Sequence, residues 1–167
     1  MDAALIRVEN YTSQHFLPLN SRSQQDEWIA MAGYPGKAAE DDYRYTVLFS
    51  SLRRGQALNL GEVPTAVSSE GRINTLTINT TTRATDLLYS MPSGRGNSGS
   101  AVVNACGEVV GIHYAGSFSE VERGRDGKPV VKAVKYNRGV SMKDVVLFLD
   151  QIGSGIPYAR TPCQVAF

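Results

Sequence analysis

A chain of 167 residues, 42% of them hydrophobic, is long enough to bury one globular core, and nothing in its composition suggests disorder. Seventeen Lys and Arg against 16 Asp and Glu leave a formal net charge of +1, which gives no electrostatic reason to expect nucleic acid, an anionic membrane surface or a polyacidic partner. No apolar run approaches the roughly 18 residues that a membrane-spanning helix requires, and the first residues lack a basic stretch followed by a hydrophobic block.

The predicted elements run as follows. DAALIRV, from Asp2 to Val8, reads as a short buried strand, and NYTSQHFLPLNSRSQQDE reads as a polar connector. WIAMAGYPG is an apolar run stopped by glycine and proline, a strand entering a tight turn, and KAAEDD is a charged turn. YRYTVLFSSL, QALNLGEV, TAVSS and INTLTINTTT are rich in Val, Thr, Leu, Ile and Tyr and are expected to be antiparallel strands. SAVVNACGEVVGIHYAG places two apolar runs around Asn104 to Gly107, and KPVVKAVKYNRGV repeats the pattern after the polar loop ERGRDGK, so both read as hairpin material.

One helix is predicted. Ser141 and Asp144 form an S-x-x-D capping box, and Met142, Val145, Val146, Leu149 and Ile152 share one face at helical spacing. The tail from Gly153 is broken by Gly and Pro and is expected to be irregular. Many short strands with regular turns and no fixed repeat argue for an all-β barrel or sandwich. Two cysteines, Cys106 and Cys163, are too few to define a disulfide framework, so their pairing and the redox compartment stay open. Sequons stand at Asn10 and Asn79, and they matter only in a secreted protein.

The chemistry concentrates in GRGNSGS, Gly94 to Ser100, which lies between two predicted strands. An acyl-transfer serine needs two backbone N–H groups aimed at the oxygen that turns negative, and glycine lets the chain bend closely enough to supply them. Here Ser98 is the candidate nucleophile, and the N–H groups of Gly96 and Ser98 are the candidate oxyanion donors. No metal cluster, phosphate loop or dinucleotide fingerprint offers a rival chemistry, and no cofactor is expected.

This motif resembles the nucleophile loop of chymotrypsin-like (trypsin-like) serine proteases, and SAVVNACGEVVGIHYAG resembles the hairpin that builds their specificity pocket. DAALIRV looks like the strand that begins with their triad aspartate, and GYPG stands where the glutamyl endopeptidase branch carries it. The resemblance implies the second antiparallel six-stranded barrel of a chymotrypsin-like double barrel, plus the last strand of the first barrel, with a C-terminal α-helix. The implied division is 1–30 as first-barrel remnant and connector, 31–140 as the barrel, 141–152 as the helix and 153–167 as the tail. Ala101 departs from the proline that usually follows GNSGS, which alters the rigidity of the turn but not its donors.

By the same resemblance Asp2 is the acid that orients the histidine, and Ser98 attacks the scissile carbonyl. The histidine itself is expected in a first barrel that this sequence does not include, because His15 follows Asp2 and His113 lies beyond the serine. His15 reads as a connector residue. His113, in GIHY, matches a pocket histidine that contacts the substrate residue before the cut in glutamyl endopeptidases and picornavirus-like main proteases. Ser93 matches a hydroxyl that assists it, and Tyr114 and Gly116 continue the substrate side of that strand. An imidazole and a hydroxyl can hydrogen-bond Glu or, failing that, Gln.

Two functions follow from these expectations. One is an endopeptidase cleaving a polypeptide after Glu or Gln, completed by the missing barrel in cis or in trans and close to inactive alone, with neither nucleic acid nor membrane as partner. The other is a homologue without catalysis that keeps the pocket as a binding or regulatory module. A secreted or viral polyprotein origin fits the first.

Overall fold

The computed structural model describes residues 6, 9, 13, 15–35, 43–56, 65–116, 120–123, 129–132 and 136–164. The expected strand DAALIRV, apart from Ile6, the turn KAAEDD and the segment QALNLGEV past Gln56 lie outside the described residues.

Ten strands are described: β1 Leu19–Asn20, β2 Trp28–Gly33, β3 Val67–Ile78, β4 Thr85–Ser90, β5 Ala101–Asn104, β6 Val109–Ala115, β7 Glu120–Arg123, β8 Pro129–Lys132, β9 Asn137–Ser141 and β10 Tyr158–Ala159. Two helices, α1 Tyr43–Arg53 and α2 Met142–Gln151, complete them. Strand β2 pairs with β3 and β5, β3 with β4, β4 with β9, β9 with β6, and β6 with β5, all antiparallel. Six strands therefore close into a barrel, which leaves no free edge within the ring. At its margin β1 lies parallel to β6 and to β10, while β7 and β8 form a separate hairpin on either side of the charged loop.

Alternation along the strands fills the barrel. Ile29 and Met31 of β2, Ile73 of β3, Leu87 and Tyr89 of β4, Val102 of β5 and Val110 of β6 form one buried cluster. A second cluster lies under α2, where Met142, Val145, Val146 and Leu149 pack with Val109. Each such side chain contributes about 1.5–3 kcal/mol when fully buried, so α2 is held chiefly by its apolar face. Ile152, expected on that face, follows the helix as its C-cap and is exposed.

Four expectations need correction. YRYTVLFSSL is helix, not strand: its less exposed residues, Tyr45, Val47, Leu48, Ser50 and Ser51, fall at the three- and four-residue spacings of one helical side. The helix ends at Gly55, whose φ of 65° allows Gln56 N–H to donate back to Ser51 O at 3.0 Å. TAVSS and INTLTINTTT contribute to a single strand, β3, in which Gly71 does not mark a break; a side chain there would strike Ser90 O on β4. The capping box does not close, because Ser141 Oγ accepts from Lys143 N–H whereas the Asp144 carboxylate accepts from Thr85 N–H of β4 at 2.6 Å. Finally, the connector and the tail are not wholly irregular, since they supply β1 and β10.

Candidate active site

The loop from Met91 to Ser100 joins β4, which pairs with β3 and β9, to β5, which pairs with β2 and β6, and it carries the GRGNSGS motif. Gly96 and Gly99 adopt φ values of 100° and 90°, a region that side chains rarely enter, so the bend requires them. Within it the backbone donors alternate. Asn97 N–H donates to Gly94 O at 3.2 Å, Gly99 N–H to His113 O at 2.8 Å and Ser100 N–H to Asn97 O at 3.0 Å. Among the described residues neither Gly96 N–H nor Ser98 N–H finds a protein acceptor. Two unspent donors thus flank an exposed serine, whose Oγ donates to Tyr114 O at 3.3 Å. Such a pair can stabilise an oxygen that gains negative charge.

The loop is braced from beneath. Asn97 is 3% exposed, and its Oδ1 is sealed from solvent without a partner. It lies against Gly33 of β2, where an added Cβ would come within 2.8 Å of Asn97 Oδ1 and 2.5 Å of Ser100 Oγ. Gly33 therefore fits against the serine loop only because it lacks a side chain, and Pro35 lies beside Gly94.

The sequence-predicted substrate residues gather on β6 and its neighbours. His113 is 1% exposed on the inward face of β6, with Nδ1 at 2.6 Å from Tyr89 Oη. Burial pushes the imidazole below its ordinary range and the Tyr89 phenol upward, so both are neutral near pH 7. Ser93 Oγ donates to Asn137 Oδ1 of β9 at 2.6 Å and lies 3.2 Å from where a Cβ on Gly116 would stand. Tyr114 points the opposite way: its hydroxyl donates to the buried Asp86 carboxylate at 2.7 Å, which Arg138 approaches at 3.9 Å. What Tyr114 offers beside Ser98 is its carbonyl. Asp2 lies outside the described residues, and His15 is exposed on the connector.

Tyr89, Asn137 and Gly33 were not singled out as site residues in the sequence. Each acts through a partner distant in the chain, 24 residues away for Tyr89 with His113 and 44 for Ser93 with Asn137. No local spacing announces such pairs. Among the described residues no group of three metal-ligating side chains occurs.

A closed six-stranded antiparallel barrel finished by a C-terminal helix is the architecture of a chymotrypsin-like barrel, and its glycine-rich serine loop is of the kind that such serine proteases use. The family model of the trypsin-like peptidase domain matches residues 1–112, and the chain belongs to that family. No curated protein matches the chain.

Proposed function

We propose that the chain is the second-barrel portion of a serine endopeptidase that cleaves polypeptides after Glu or Gln by an acyl-enzyme route, in the manner of the glutamyl endopeptidase branch. Ser98 Oγ attacks the carbonyl carbon, and the resulting oxyanion lies against the N–H groups of Gly96 and Ser98. The observation that carries this reading is the pair of unspent N–H donors beside the exposed Ser98 hydroxyl. His113 and Ser93, with Gly116 and the strand backbone at Tyr114, receive the side chain ahead of the scissile bond.

The proton of Ser98 needs a base. His113 is buried against Tyr89, which supports a pocket role, so the base is assigned to a first barrel supplied in cis or in trans, with Asp2 orienting it. Without that imidazole the hydroxyl is poorly activated, and loss of a triad member leaves only about 10³–10⁴-fold catalysis over water. The chain alone is therefore expected to be close to inactive.

The test is labelling with a fluorophosphonate probe of this chain, its Ser98→Ala variant and a version extended upstream. Labelling of the extended protein alone, abolished by Ser98→Ala, is the expected result. If neither form labels, the pocket survives only as the binding module of a homologue without catalysis.

A further inference from the structure

Away from the serine loop, a cleft of about 250 Å³ opens where the connector after β1 passes the end of β3 and the start of α2. Its walls are Ser21 to Ser23, the last residues of β3, the first residue of β4 and the N-terminal end of α2. Thr85 opens β4, and the serine loop begins beyond the other end of that strand, at Ser90. At about 3.3 Å per residue, β4 sets the two ends roughly 17 Å apart. The cleft is therefore separate from the site beside Ser98.

Among the described residues its lining carries hydrogen-bond donors and no carboxylate. The guanidinium of Arg22 and the ammonium of Lys143 line it, and among those residues neither meets an acceptor. Thr85 is 8% exposed; its backbone N–H is taken by the Asp144 carboxylate at 2.6 Å, whereas its hydroxyl finds no partner. The side-chain atoms there that are both sealed and unpaired are Glu27 Oε1 and Asn97 Oδ1. The Thr85 hydroxyl is thus unpaired but open, and the space before it is the cleft that the residue lines. Ser141, 1% exposed, accepts from Lys143 N–H through Oγ, which leaves its own hydrogen free to donate. The N-terminal end of α2 adds a positive field, and the carboxylate of its first turn, Asp144, is engaged by Thr85 N–H. Alternation along β4 sends Asp86 to the other face, where Asn79, Tyr114 and Arg138 attend it.

We propose that this cleft binds a small tetrahedral oxyanion, a phosphate or sulfate group, between the Arg22 and Lys143 cations and the Thr85 and Ser141 hydroxyls. Such a group only accepts hydrogen bonds, and charged donors make the strongest ones. Four donor groups on more than one wall match its three or four oxygens better than the two of a carboxylate. The volume lies below the roughly 300–1,000 Å³ of pockets for drug-sized ligands. The ligand is therefore the free ion or a short ester, whose carbon atoms would lie along Leu76 and Ile78.

Titration of the isotope-labelled full chain tests this by NMR, independently of any peptidase activity. Sodium sulfate, sodium phosphate, phenyl phosphate and sodium acetate are added at neutral pH, with sodium chloride holding the ionic strength constant. Sulfate or phosphate is expected to shift the backbone amides of Thr85 and Lys143 along a saturable single-site curve that acetate does not reproduce. Tighter binding of phenyl phosphate than of phosphate would assign the cleft to an ester, and equal or weaker binding to the free ion. Arg22→Gln and Lys143→Gln should each weaken binding about tenfold or more, the scale of one lost hydrogen bond to a charged group. Thr85→Val keeps the shape and should weaken it about threefold to tenfold. Arg22 and Lys143 are exposed, so their variants keep the fold and carry the test even where Thr85→Val does not. Absence of a saturable shift, an equal response to acetate, or affinity unchanged in both Arg22→Gln and Lys143→Gln would overturn the proposal.

Discussion

His113 makes its contribution as a neutral residue, and that has a consequence for stability. Burial lowers its folded pKa from the ordinary 6.5, so below pH 6.5 the unfolded chain takes up a proton that the folded one refuses. Stability from this residue is fully present above 6.5 and declines as pH falls toward the folded value. Glu27 acts in the opposite sense, because burial raises its carboxyl above 4.5 and the folded chain protonates first. In His113→Gln the first slope disappears and the second remains. Urea melts of both proteins from neutral to mildly acidic pH should therefore converge as pH falls, with the variant about 1–3 kcal/mol less stable at neutral pH through the unpaired Tyr89 hydroxyl. At this scale Ser98 and Ser93 were candidates because they stand in and beside GRGNSGS, and His113 because it stands in GIHY. Their partners were not, because Tyr89 and Asn137 meet them only once the barrel closes.

Between elements, Asp144 ties α2 to the barrel by a polar link, its carboxylate taking the first N–H of β4 instead of closing a capping box. The residue still opposes the positive end of the helix, but its bond also fixes where β4 begins, and β4 supplies both Tyr89 and the start of the serine loop. Asp144→Asn keeps an acceptor and should cost little. Asp144→Ala removes it, and denaturant melts should show a loss of about 1–2 kcal/mol. Equal stability of the two variants would mean that Thr85 N–H is satisfied by water. The helix itself was readable from its apolar spacing, since Met142, Val145, Val146 and Leu149 are all buried. Helix α1 was misread because Tyr, Val, Phe and Thr are favoured in strands. Its stop, Arg53 and Arg54 followed by Gly55, was present in the sequence as a helix C-terminus.

Across the whole molecule, the connector, the β5–β6 turn and the tail are fastened at one place. Asn20 Nδ2 donates to Glu108 Oε2 at 2.7 Å and to Thr161 O at 2.9 Å, and Asn104 Nδ2 also donates to Glu108 Oε2. The disulfide between Cys106 and Cys163, Cα atoms 6.0 Å apart, ties the same turn to the tail across 57 residues. Sequence could not decide that pairing, since it depends on β10 coming to lie beside β1. Closing a loop of this length is worth roughly 4 kcal/mol on the chain-entropy account, and the hydrogen bonds at Asn20 and Glu108 would hold part of the geometry without it. The site stands at the other end of β5, whose rise of about 3.3 Å per residue separates the turn from Ala101 by roughly 10 Å. Cys163→Ser, or reduction, should therefore lower stability by about 2–4 kcal/mol in urea while leaving peptide affinity at Ser93 and His113 unchanged. A parallel loss of affinity would mean that the tail helps to hold β6, and with it the pocket, in place.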